Sequence, residues 1–195
     1  MKIQKQLWVL AGGNGAGKST FYRLFLEPRG IKLISADVIA KVINPENQEA
    51  ATRGAMIVAE RLREDLVLQG ISFCFETVFS HPSKIDFVAK AKSLGYKIIL
   101  VYIQLDTPEL NAARVHQRVS EGGHTVPDKK IRSRIPRTMK NIATALPLID
   151  EARLLDNSLF NSPFRQVAVI KQGSCTELMK PLPDWAITML KDYIS

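Results

Sequence analysis

Apolar and polar positions along the chain change period at short intervals. Gln6 to Ala11 (QLWVLA) is a brief apolar run ending in glycines, the pattern of a buried strand. Lys18 to Leu26 then reads as a helix, stopped by Pro28 and Gly30. Ile31 to Ala36 (IKLISA) predicts a second strand. From Glu49 to Gln69, Met56, Ala59, Leu62 and Leu66 fall at helical spacing, with a glycine stop at Gly70. Ile71 to Phe79 (ISFCFETVF) is rich in strand formers. Pro82 to Ser93 predicts a helix starting at Pro82, where a missing N–H costs nothing. Tyr96 to Leu105 (YKIILVYIQL) is nearly continuous in apolar and β-branched residues, the mark of a strand buried on both faces.

The second half continues the alternation. Thr107 fits an N-cap, Pro108 the first helical position, and the helix runs to Ser120 before Gly122 and Gly123 break it. Pro127 to about Ala145 reads as another helix, which Pro136 should kink or interrupt. Ala152 to Leu155 and Gln166 to Lys171 are short strands, and Pro183 to Ile194 a closing helix. Strands alternating with helices predict an α/β fold, a doubly wound parallel sheet with helices on both faces. No repeat, low-complexity tract or linker divides the chain, so one domain is expected over residues 1–195.

Composition narrows the class. A hydrophobic fraction of 46% fills a real core. No apolar run approaches the ~18 residues of a membrane span, and the N-terminus lacks a signal-peptide core. Cys74 and Cys175 form no metal or redox motif and read as reduced thiols of a cytoplasmic protein. The net charge is +8, and it is concentrated: Asn111 to Lys140 holds eight Lys or Arg against two acids. Such a field draws anions such as phosphates, nucleotides or nucleic acid. No aromatic stacking platform accompanies it, which argues against nucleic acid.

The chemistry begins at Gly12. Residues Gly12, Gly13, Asn14, Gly15, Ala16, Gly17, Lys18 and Ser19 match G-x-x-x-x-G-K-[ST] position for position, between a strand and a helix, with Thr20 following. In that setting the glycines turn backbone N–H groups inward around phosphates, and the helix start adds its dipole. Lys18 would bridge the β- and γ-phosphates and Ser19 would ligate Mg²⁺. The expected fold is therefore that of the P-loop nucleotide-binding proteins, in the form of a nucleotide kinase with a helical lid at about 111–145. The N-K-x-D guanine motif is absent, and the length suits a kinase of small molecules using ATP and Mg²⁺.

Two acids fit the carboxyl ends of strands, where ligands sit in such folds. Asp37, in ISAD, is the candidate general base for an acceptor hydroxyl; its alternative is a helix N-cap. Glu76, in CFET, is assigned to the acceptor or, like Asp37, to a metal-bound water, because an unpaired carboxylate on a buried strand is costly. Asp106 ends a strand but reads as part of a helix start. In the basic segment, Arg114 and Arg118 share a helix face, followed by Arg132, Arg134 and Arg137. Forked guanidinium donors suit a transferring phosphoryl group. Gly122 and Gly123 beside them suggest a closing flap.

The pieces GGNGAGKST (12–20), SADVIA (35–40), FETVFS (75–80), RVHQRVSEGGHTVP (114–127), IRSRIPRTMKNI (131–142) and LLDNS (154–158) resemble the zeta toxin family of P-loop kinases, especially its short bacterial members. The resemblance implies ATP-dependent phosphorylation of a hydroxyl on UDP-N-acetylglucosamine, toxicity through cell-wall precursor depletion, and an antitoxin partner. It implies Lys18 and Ser19 at phosphate and metal, Asp37 as base, and Glu76 with Thr77 at the substrate. Arg118, with Arg134 or Arg137, would serve the transition state. His124 would sit in the flap near substrate, or be a loop-bonding histidine; Asp156, Asn157 and Ser158 would lie near the base, or turn the chain. The residues alone leave open a kinase for an antibiotic, sugar acid or nucleoside, or a nucleotide-dependent nucleic-acid-binding protein.

Overall fold

The computed structural model describes residues 4–44, 48–123 and 125–193. One seven-stranded sheet runs through it: β1 (Gln6–Gly12), β2 (Leu33–Ile34), β3 (Phe73–Thr77), β4 (Lys97–Gln104), β5 (Glu151–Asp156), β6 (Arg165–Lys171) and β7 (Ser174–Leu178). The spatial order is β2-β3-β1-β4-β5-β6-β7. Neighbours from β2 to β5 are parallel, which the crossover helices require. β1 and β4 are central because they can be buried on both faces: Leu7, Val9, Leu10, Ile98 and Ile103 are all fully buried.

The sheet is not parallel throughout. β6 runs antiparallel to β5, and β7 antiparallel to β6. Gln172 and Gly173 join the last pair, with φ of 49° and 77°, the double left-handed turn that matches strand twist. β7 (SCTEL) was not expected from the sequence, because it is polar and mostly exposed and carries no alternation.

The helices are α1 (Lys18–Phe21), α2 (Ala36–Ile43), α3 (Gln48–Leu68), α4 (Ser83–Ser93), α5 (Pro108–Ser120), α6 (Asp128–Ala145) and α7 (Asp184–Leu190). They cover the two faces unequally. Val67 of α3, Val88 of α4, Ile142 of α6 and Leu190 of α7 share one core with Phe73, Phe75 and Leu100. On the other face Phe21 and Leu26, from α1 and the π-helical turn Tyr22–Leu26 that extends it, pack on Leu10, Cys74 and Ile103. Pro136 neither breaks nor interrupts α6, which continues through it as one helix. The Thr107 hydroxyl accepts from the Leu110 N–H at 3.2 Å, capping α5 as its spacing predicts. Among the described residues no helix is long and apolar enough to cross a membrane.

Candidate active site

β1 ends at Gly12 and α1 begins at Lys18, so residues 12–19 bridge a strand and a helix start. Close approach dictates glycine in the loop, most clearly at Gly15 and Gly17, where φ is also left-handed. Gly15 has φ of +78°, and a Cβ there would lie 2.6 Å from the Asn111 carbonyl oxygen. Gly17 has φ of +98°, and its Cβ would lie 2.5 Å from the Asn157 Nδ2. A larger residue at Gly15 would have to displace the α5 backbone, and one at Gly17 the Asn157 side chain, and both would sit at a left-handed φ.

Those contacts identify supports that sequence reading missed or left undecided. Asn111, counted only as the start of the basic segment, donates from Nδ2 to the Asn14 carbonyl at 2.7 Å. Asn157 donates to the Ala16 carbonyl at 2.9 Å and accepts from the Phe164 N–H at 3.1 Å. Its neighbours hold the strand ends together. Asp156 accepts from the Ser158 N–H at 2.8 Å and from Arg165 at 2.6 Å, while Ser158 Oγ accepts from the Asp106 N–H at 2.8 Å. The DNS segment thus braces the phosphate loop against β4 and β5. No signal along the sequence marks these two amides, because only folding brings them to the loop.

Lys18 is buried, and its Nζ donates to the Gly13 carbonyl at 3.1 Å. Glu76 Oε1 lies 3.8 Å from the same nitrogen. Burial pushes the Lys18 pKa down; the Glu76 and Asp37 carboxylates oppose that, and the Arg118 and Arg134 guanidiniums add to it. Acids from β3 and α2 and arginines from α5 and α6 therefore act together on one ammonium. The Ser19 hydroxyl donates to Glu76, 3.2 and 3.3 Å from its two oxygens. A hydroxyl beside one carboxylate is a hard-oxygen set suited to Mg²⁺, which in such sites takes one or two carboxylates and completes its shell with phosphates and water. No group of three or more potential His, Cys, Asp or Glu ligands occurs among the described residues, and this mode needs none.

The remaining candidates separate. Asp37 is exposed in the first turn of α2, while Ser35 occupies the N-cap position, so Asp37 is not the cap. Arg134 donates to the Asn14 side-chain oxygen at 3.2 Å; burial, then the charge of Arg137, lowers its pKa, and Asp37 opposes them. Arg137 turns back on its own helix, donating to the Ser133 carbonyl at 3.0 Å. Arg132 bridges α6 to Glu109 of α5. Gly122 and Gly123 end α5, where the Gly123 N–H donates to the Arg118 carbonyl at 2.8 Å. His124 lies outside the described residues. Thr77 Oγ1 accepts from the Phe79 N–H at 3.0 Å, shaping a turn in which Phe79 has φ of 62°. α6 clamps that turn: Thr138 donates to the Val78 carbonyl at 2.8 Å and Asn141 to that of Phe79 at 3.0 Å.

A glycine-rich loop with a buried lysine, a serine–carboxylate pair and converging arginines at the carboxyl edge of this sheet make a phosphate-binding site on a fold of the P-loop kinase type. The zeta toxin family model matches residues 1–157, and the chain belongs to that family. A protein of Haemophilus influenzae is 34% identical over 139 residues, 68% of this chain and 99% of that protein. The crystal structure of AvrRxo1-ORF1:-ORF2 with ATP is similar in fold at TM-score 0.72 and 19% identity, covering 97% of this chain and 64% of that one. The PezAT chromosomal toxin-antitoxin system of Streptococcus pneumoniae gives TM-score 0.64 and 18% identity, covering 97% and 78%. This chain therefore spans less than two thirds of the AvrRxo1 chain.

Proposed function

We propose that this chain is an ATP-dependent kinase that transfers the γ-phosphoryl group to a hydroxyl of a small anionic acceptor, a nucleotide sugar of the UDP-N-acetyl type being the leading candidate. The observation that carries this reading is the buried Lys18 in the phosphate loop, 3.1 Å from the Gly13 carbonyl and 3.8 Å from Glu76, with the Ser19 hydroxyl on the same carboxylate and Arg134 bonded to Asn14 of the loop. Lys18 and the loop amides hold the β- and γ-phosphates. Asp37 takes the proton of the acceptor hydroxyl as its oxygen attacks the γ-phosphorus, and ADP leaves. Arg118 and Arg134 stabilise the charge spread over the transferring oxygens. Ser19 and Glu76 would hold Mg²⁺, which when bound neutralises phosphate charge. Thr77 lines the acceptor side, and residues 111–145 serve as the lid.

Labelled ATP incubated with UDP-sugars, nucleosides, sugar acids and antibiotics tests the reading. The expected outcome is labelled product from an anionic member of the panel. No product from any of them, with ATP hydrolysis stimulated by DNA or RNA, would replace it with the nucleic-acid reading. A neutralising protein partner belongs to the same proposal, since the pneumococcal neighbour comes from a toxin-antitoxin system. Expression of the chain alone should then arrest growth, and expression of its Asp37→Ala variant should not.

A further inference from the structure

The motif G-x-x-x-x-G-K leaves its third position free, yet Asn14, which occupies it, is where both lid helices reach the phosphate loop. From α5, Asn111 grips the Asn14 backbone, donating from Nδ2 to its carbonyl at 2.7 Å. From α6, Arg134 reaches the Asn14 side chain, donating from Nη1 to Oδ1 at 3.2 Å. The next residue of α6 packs on the same stretch: Ile135 Cγ1 lies 3.6 Å from where a Cβ on Gly13 would stand. Gly13 in turn offers its carbonyl to the Lys18 ammonium at 3.1 Å. An ammonium and a guanidinium are thus anchored on adjacent residues of one loop.

A guanidinium serves a transferring phosphoryl group only when its forked edge faces the oxygens, and a long flexible side chain must be held to do so. Arg134 has five N–H donors, of which Asn14 takes one at Nη1. Among the described residues no other hydrogen bond or ion pair holds that guanidinium. The donors on Nη2 and Nε therefore stay available to phosphate oxygens. An amide oxygen suits this task because it accepts a bond without placing a negative charge beside the phosphates, as an aspartate would. The side chain can also be removed cleanly. Asn14 has no left-handed φ, so alanine fits its backbone, and the carbonyl that Asn111 holds remains.

We propose that Asn14 is a positioning residue: its amide oxygen holds Arg134 over the loop so that the free edge of the guanidinium meets the γ-phosphate. This rests on the kinase reading above, in which Arg134 stabilises the transferring group. The test titrates the full chain calorimetrically with Mg²⁺ and either ADP or a non-hydrolysable ATP analogue. In Asn14→Ala the analogue should bind about tenfold more weakly, while ADP, which lacks the γ-phosphate, should change by less than about twofold. Asn111→Ala, which strips a backbone carbonyl of its partner, should weaken both nucleotides alike. Combined with Arg134→Ala, Asn14→Ala should add no further loss for the analogue. Once an acceptor is found, kcat should fall with the same non-additivity. Unchanged binding in Asn14→Ala, equal weakening of the two nucleotides, or a loss that adds in full to that of Arg134→Ala overturns the assignment. Failure of the kinase reading appears separately, as no labelled product from any acceptor, and leaves the comparison of nucleotides readable.

Discussion

Asp37 and Arg134 are separable by their chemistry. Asp37 is exposed and acts on Lys18 and Arg134 through space, so its removal should spare the phosphate loop. Asp37→Ala is expected to lower the transfer rate by roughly 10²–10⁴-fold while ATP affinity, measured by titration, stays within about twofold. Arg134→Ala removes the bond to Asn14 as well as a charge, so both kcat and ATP affinity should fall, whereas Arg137→Ala, whose side chain bonds only to Ser133 among the described residues, should change them far less. Asp156 supplies a pH signature. Burial alone would raise its pKa, but the Ser158 and Arg165 hydrogen bonds and the Arg165 charge hold it below its ordinary 3.8. The unfolded chain then binds the proton more readily. This stabilisation is fully present above the ordinary carboxylate pKa and is lost as pH falls from there through the lowered folded-state pKa. Asp156→Asn should therefore be less stable at neutral pH, with the difference shrinking in acid, as read from urea midpoints across pH.

At the scale of elements, the loop is held by segments far away in sequence. Asn157→Ala strips the Ala16 carbonyl of its partner in a buried place, a loss of about 1–3 kcal/mol. Urea denaturation should register it, together with weaker nucleotide binding. The β6–β7 hairpin gives the opposite case. Gly173 has φ of +77° and open space around it, so Gly173→Ala meets no clash and pays only the left-handed penalty of roughly 1–2 kcal/mol. Stability should drop with kcat unchanged, since that hairpin stands at the edge of the sheet farthest from β3. Elements with strong local patterns were legible before folding: β4 from its apolar run, and α5 from Thr107 and Pro108. β2 shrank from Ile31 to Ala36 down to Leu33–Ile34, because an edge strand is limited by what β3 can pair. α7 ends at Leu190 with a turn over residues 191–193, and the expected end at Ile194 lies outside the described residues.

For the whole molecule, binding and folding are linked through the loop. A nucleotide that binds only the folded chain should stabilise it by about 2.7 kcal/mol at a hundredfold excess over its Kd. A thermal scan with Mg·ATP should show that shift, and Lys18→Ala should abolish it. The chemistry of the loop was determined by the sequence itself: eight consecutive residues suffice, because turning amides around an anion is a local backbone act, and the flanking strand and helix patterns are local too. What surrounds the loop was decided only in three dimensions. Arg134 and Arg137 differ by three positions, about 60° around a helix, and nothing local ranks them. The rotation of α6 ranks them, and that is set where Thr138 and Asn141 grip the turn after β3. Asn111 and Asn157 likewise became loop supports only when α5 and β5 were packed beside β1, since hydrogen bonds between distant segments have no periodicity to announce them.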